Sequence, residues 1–301
     1  MAAVPKIISA EILVLIACVF EGLFPIFVRV GSAAFPPVLF VAMSTCIAAV
    51  FLGTLAWTRG AFRERIPRAV YGYIAVVALC VMGGFAMISI GARQTSGINI
   101  SLLLQTEMLF AFLLCNVVLG EKISVRVLAG MPLIFLGACA VLFNGSFTLN
   151  SGDAIILLAA AIFPIGNIFA KKALALTRPV IVLFLRYVFG SVFLFAVSAF
   201  MGEFLQWNLG ILRVHGWLIV AYAVSVLTLS KLFWYTGLKT LPIGKATQIV
   251  GVAPVMGFCF SLLLLHEIPT VYQLIGLVVT VLGVFILVSK PSISTTEADL
   301  V

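Results

Sequence analysis

Apolar runs of about 20 residues, the length that crosses about 30 Å of hydrocarbon, recur along the whole chain. Short stretches holding most of the charge separate them. The runs lie near residues 8–30, 36–58, 69–91, 97–119, 125–145, 153–174, 179–201, 215–237, 242–264 and 270–289. A backbone in lipid must satisfy its own hydrogen bonds, so the pattern predicts an all-α integral membrane protein of ten transmembrane helices. The residues are 63% hydrophobic and 9% charged, against about 45–50% and 25% in soluble domains. A water-soluble fold is thereby excluded. The first run continues past Val30 and reads as a span, since a cleaved signal has a shorter apolar core.

The formal net charge of +8 could suggest nucleic acid, but its distribution points to topology instead. With the amino terminus inside, the inner segments carry Lys6, Arg59, Arg63, Arg65, Arg68, Lys122, Arg126, Lys171, Lys172, Arg178, Lys239, Lys245 and Lys290. The outer segments carry Arg29, Arg93 and Arg213, so both termini are expected in the cytoplasm of a bacterial inner membrane. Cys18, Cys46, Cys80, Cys115, Cys139 and Cys259 all fall inside spans without a CxxC pair, and read as small buried hydrophobes.

The chain also matches itself. At an offset of 146 residues, Gly91, Phe112, Glu121, Val125, Leu128, Gly130, Leu136 and Gly137 meet identical residues at Gly237, Phe258, Glu267, Val271, Leu274, Gly276, Leu282 and Gly283. Phe24-Pro25-Ile26 is echoed by Phe163-Pro164-Ile165. Spans three to five thus repeat as eight to ten, which divides the chain into repeats at 1–147 and 148–290 and a tail at 291–301. Five is odd, so the second half is expected to enter the membrane upside down, an arrangement that lets a midplane site face either side in turn.

These features resemble the EamA-type branch of the drug/metabolite transporter superfamily. The resemblance rests on the two halves, on Gly-Glu-Lys-Ile at 120–123 and His-Glu-Ile-Pro at 266–269, and on the glycines after each Glu. It implies a ten-helix bundle with a central cavity and transport of small polar or amphipathic metabolites. The family's proline and following arginine in the second helix of each half fit Pro179 and Arg186; the first half has Pro36-Pro37 followed by Met43 and Ser44. Whether Arg186 binds substrate or braces one half stays open on that departure.

An ionisable side chain inside hydrocarbon costs about 2.5–3.5 kcal/mol, so it faces a cavity or a partner. Glu21, Glu107, Arg186 and Lys231 stand in that position. They can neutralise one another, or present charge to a zwitterion or cation, with Glu107 or Glu21 exchanging a proton. Around Glu107, helical spacing puts Ser101, Gln105 and Met108 on one face, with Asn99 nearby. The ninth span offers Lys245, Thr247 and Gln248 in answer. Pro25 beside Glu21, and Pro164 beside Asn167, are candidate kinks. Phe85, Trp234, Tyr235 and Tyr222 could stack on a solute or make cation–π contact, whereas Trp57, Trp207, Trp217 and Tyr272 read as interfacial anchors. The substrate-binding candidates are therefore Glu21, Phe85, Asn99, Gln105, Glu107, Asn167, Arg186, Lys231, Trp234 and Gln248. Glu121 and Glu267 read as structural carboxylates receiving hydrogen bonds from the amino end of the next helix. The glycine pairs Gly130/Gly137 and Gly276/Gly283 offer smooth faces for packing between the halves or between two copies in a homodimer.

No phosphate loop appears, and His215 and His266 lack metal-ligand spacing, so no cofactor or metal is expected. The first reading is a secondary carrier working by alternating access that exports an amino acid or related metabolite, coupled to protons or exchange. Its expected partners are a small-molecule substrate and the bilayer, with no nucleic acid. A second is uptake of an organic cation such as a quaternary amine, which requires Glu21 and Glu107 to face the cavity while Lys231 and Arg186 point elsewhere. A membrane enzyme would need a His, Asp or Cys cluster at one surface, and a sensor would need an output domain longer than 291–301.

Overall fold

The computed structural model describes residues 10–119, 125–143, 150–206, 208–241, 249 and 252–288. All regular structure in this set is helical. In chain order the helices are α1 (Ala10–Ala34), α2 (Pro37–Thr58), α3 (Arg68–Gly91), α4 (Gly97–Leu103, resuming at Thr106–Leu119), α5 (Val125–Phe143), α6 (Ser151–Leu176), α7 (Pro179–Phe200), α8 (Leu209–Gly237), α9 (Ala253–Leu264) and α10 (Val271–Val288). Six of them, α1, α2, α3, α6, α7 and α8, are long and apolar enough to cross a membrane. The others contribute shorter apolar stretches.

Local chemistry sets the ends. Pro37 and Pro179 open α2 and α7, where a missing N–H costs nothing. The Ser96, Asn150 and Asn208 side chains accept backbone N–H groups at the starts of α4, α6 and α8. The Asn208 cap explains why α8 begins at Leu209, ahead of the expected 215. Gly60 and Gly202 adopt φ of 62° and 70° just after α2 and α7, a backbone that glycine takes without strain. Each leads into one 3₁₀ turn, Ala61–Arg63 and Glu203–Leu205.

Four helices are irregular at depth. α1 is interrupted at Leu23, between Gly22 and the segment that opens with Phe24 and Pro25. α4 is interrupted at Leu104 and Gln105, where the Thr106 hydroxyl donates to the Leu103 carbonyl at 2.7 Å and the backbone bonds tighten to three-residue spacing. By contrast, α6 runs through Pro164 without a break. Wide π turns occupy Ala78–Met82 in α3 and Ala223–Ser230 in α8.

The helices pack in matched pairs. α2 lies along α7 and α5 along α10; α6 packs against α3 and α4, and α1 packs against α8 and α9. At the α5–α10 crossing, a Cβ on Gly137 would run into Thr280 Oγ1, and one on Gly283 would lie 2.9 Å from the Gly130 carbonyl oxygen. The glycine faces therefore meet within one chain. Trp57, Trp217 and Tyr272 are exposed, while Trp207 lies outside the described residues. Two of the cysteines depart from expectation: Cys18 is buried, but Cys46 and Cys259 sit on outward faces.

Candidate functional site

The irregular parts of α1, α4 and α8 converge on a cavity of about 740 Å3. Its wall includes Glu21, Phe85, Gln105, Glu107, Asn167, Arg186, Lys231 and Trp234, together with Ser101, Met108 and Tyr235. A concave, mostly apolar space with a few converging polar groups is the usual form of a small-molecule site. Ser101, Gln105 and Met108 do share its α4 side, as their spacing suggested.

Of the four charged side chains within the spans, Glu21 and Lys231 form an ion pair, and Glu107 and Arg186 form none among the described residues. Lys231 Nζ reaches Glu21 Oε1 and Oε2 at 2.8 and 2.7 Å, and Ser230 Oγ donates to Glu21 Oε2 at 2.7 Å and to the Ala17 carbonyl at 3.0 Å. The π turn of α8 ends at Ser230, so both side chains meet α1 from consecutive positions. Glu107 instead receives the Asn167 amide at 2.7 Å and forms no ion pair among the described residues.

Arg186 is 3% exposed yet also lacks an acidic partner there. Its Nη1 donates to the Tyr235 hydroxyl at 3.3 Å, its Nε has no hydrogen-bond partner, and its guanidinium lies 5.8 Å from the Phe85 ring centre and 5.4 Å from that of Tyr187. A buried guanidinium with one idle donor is ready to bind an anion, because an unmet buried donor costs about 1–3 kcal/mol. Glu107 and Arg186 thus give the cavity one acid and one base that do not cancel each other.

Asn99 does not line the cavity. It donates to both Asp153 oxygens at 3.3 Å and accepts from Gln273 Nε2 at 2.8 Å, as part of a polar cluster that Thr95 completes by donating to Asp153. Its polarity keeps it from lipid, but protein groups satisfy it. Gln248, Lys245, Thr247 and Glu121 lie outside the described residues. Tyr222 is buried among the rings of Phe24, Phe27 and Phe40.

Glu267 has the expected bonding with a different recipient. Its Oε1 and Oε2 accept from Gly97 N and Ile98 N at 2.8 and 2.9 Å, capping α4 rather than the helix that follows. The next helix, α10, has its own capping box, in which Thr270 N donates to Gln273 Oε1 and Gln273 N donates to Thr270 Oγ1. Glu267 is therefore free to reach across.

Several contributors went unremarked in the sequence. Glu203, 3% exposed, accepts from Val38 N, Leu39 N and Ser198 Oγ. Its signal was an acid beside a left-handed glycine turn, facing a Pro-Pro helix start. Asp153 was visible only as an acid in the first turn of a span. Ser230 lines the cavity but carried no distinguishing pattern, and Cys18, which also lines it, read only as a small buried hydrophobe.

Comparison with known proteins agrees with this architecture. The family model described as the EamA-like transporter family matches residues 8–143 and again residues 150–289. A "Probable amino-acid metabolite efflux pump" of Escherichia coli is 24% identical over 293 residues, covering 91% of this chain and 93% of that protein. An uncharacterized transporter of Methanothermobacter thermautotrophicus is 25% identical over 298 residues (91% and 84%), and the uncharacterized transporter YyaM of Bacillus subtilis is 24% identical over 244 residues (79% of each). One crystal structure superposes with a TM-score of 0.62 at 14% identity, covering 92% of this chain and 95% of its own, which shows a shared fold. With two matched segments spanning nearly all of its length and apolar helices of membrane-crossing size, the chain is an integral membrane protein belonging to the EamA-like transporter family of the drug/metabolite transporter type.

Proposed function

We propose that the chain is a secondary carrier of ten spans in two inverted five-helix halves, and that it moves a small organic zwitterion of the amino-acid class through the central cavity by alternating access. The observation that carries this reading is the pair of uncancelled charges. Arg186, with an idle Nε, suits a carboxylate; Glu107, held by Asn167, suits an ammonium group; and Phe85 and Trp234 offer rings to an apolar side chain. The name of the Escherichia coli relative supports the same class. Carriage of a cation alone fits less well, because Arg186 and Lys231 both line the cavity.

The helix pairings support the inverted halves. Exchanging α1–α5 with α6–α10 turns the α3–α6 pairing into α8–α1 and the α4–α6 pairing into α9–α1, while α2–α7 and α5–α10 map onto themselves. The wide turns of α3 and α8 also fall at matching places. Arg178 bonds Glu64, so the basic α2–α3 and α6–α7 connections share one end of the bundle. That end is assigned to the cytoplasm, with export driven by protons or by exchange.

The test is flux of neutral amino acids across proteoliposomes, with screening for the preferred one. Arg186→Gln and Glu107→Gln should each lower transport by about tenfold to a hundredfold, as expected for losing one charge-assisted contact. Unchanged flux and unchanged pH dependence in both variants would remove these residues from the site.

A further inference from the structure

The cavity is lopsided. Its lining extends to Lys171, Ala175 and Pro179, at the junction of α6 and α7. In the other direction it stops at Phe24, Phe85 and Phe163, whose ring centres stand 5.5 Å (Phe24 to Phe85) and 5.6 Å (Phe85 to Phe163) apart. Phe24 and Phe163 come from the repeated Phe-Pro-Ile motif, so each half supplies one side of this layer.

Beyond the rings, polar ties hold the amino ends of α4, α6 and α10 together. Glu267 grips Gly97 N and Ile98 N. Asp153, 5% exposed in the first turn of α6, accepts from Thr95 and Asn99, and Asn99 accepts from Gln273 of α10. Asn150 and Ser151 both donate to Gln94. The backbones of α3 and α6 also touch here: a Cβ on Gly91 or Gly152 would lie 2.7 or 2.6 Å from the other's carbonyl oxygen. At the opposite end, the Arg178–Glu64 pair is exposed.

We infer that this structure is the carrier shut at its Glu267 end, with the cavity reaching toward the Pro179 end among the described residues, and that Glu267 and Asp153 hold the gate shut by gripping the start of α4. This deepens the carrier reading and rests on it. Both carboxylates come from the second half and act on a short piece of the first. That piece, Gly97–Leu103, is separated from the Glu107 segment by the interruption at Leu104 and Gln105, so it can shift without dragging Glu107 along. Bonds from N–H groups to a carboxylate are strong and directional, and they can be given up to water one at a time. His266, the residue before Glu267, has φ of 53°, a backbone state sparsely used outside glycine. Opening this face breaks two carboxylate grips and parts one ring layer. The glycine crossing of α5 and α10 stays intact.

Accessibility from each face tests the inference. In a background without native cysteines, Leu104→Cys places a thiol in the cavity wall, and an impermeant thiol reagent is applied to sealed vesicles of either orientation. Labelling should be fast from the Pro179 face and slow from the Glu267 face. Glu267→Ala and Asp153→Ala should each raise the slow rate about tenfold, the size expected for losing a charge-assisted grip. If an alanine variant fails to reach the membrane, Glu267→Gln and Asp153→Asn carry the same expectation with a smaller rise. Equal rates from both faces before gate substitution, or an unmoved slow rate in the gate variants, overturns the proposal. A disulfide between Thr95→Cys and Asp153→Cys should stop flux until reductant is added; full flux in the oxidised protein also overturns it. Labelling requires no solute, so one-sided labelling without zwitterion flux would discard the substrate reading and keep the gate.

Discussion

Removing the Lys231 ammonium would leave the Glu21 carboxylate with Ser230 as its remaining donor. The side chains are 19% and 31% exposed, so cavity water screens part of the loss. Lys231→Met is expected to lower stability by about 1–3 kcal/mol, below the 3–5 kcal/mol typical of breaking a fully buried pair. The double variant Glu21→Gln/Lys231→Met should recover most of that loss in a thermal-melt cycle; strict additivity would show that the pair does not couple. These charges were legible in the sequence because an ionised group in an apolar run demands a reason, and few residues there are ionised. Asn99 and Glu203 were not. A polar residue near a span end looks the same whether it faces a solute or caps a helix from a distant segment, and only the fold brings Asp153 to Asn99 or Glu203 to Val38.

At the scale of elements, the contrast lies between glycines that touch another backbone and glycines that do not. Gly137→Ala drives a methyl into Thr280 Oγ1 and the Gly276 carbonyl, and is expected to cost about 1–3 kcal/mol through separation of α5 and α10. Gly72→Ala, in α3 with nothing within 4 Å of the new methyl, should be neutral or stabilise by up to about 1 kcal/mol. Melting temperatures of the two purified variants check both, and equal shifts would deny the crossing its role. The glycine repeat was readable as a smooth face, but what it packs against was not, since a spacing of seven serves a neighbour helix or a second copy equally. Likewise the interruption in α4 has no proline and depends on the Thr106 hydroxyl competing for a backbone carbonyl, whereas α6 continues through Pro164.

Across the whole molecule, the apolar runs made the all-helical, membrane-embedded character legible in the sequence. What they could not convey was the lopsidedness, because the proposed pair of similar halves would imply equal ends, and a single conformation has unequal ones. If the basic end is cytoplasmic, a reporter fused after Val301 will read on the same side as one inserted at Gly60, and opposite readings would break the ten-span count. One further consequence belongs to the wide turns of α3 and α8. A π turn accommodates a surplus residue while leaving the helix on either side aimed as before. Deleting Val226 should therefore let α8 relax to ordinary pitch with Lys231 still facing Glu21.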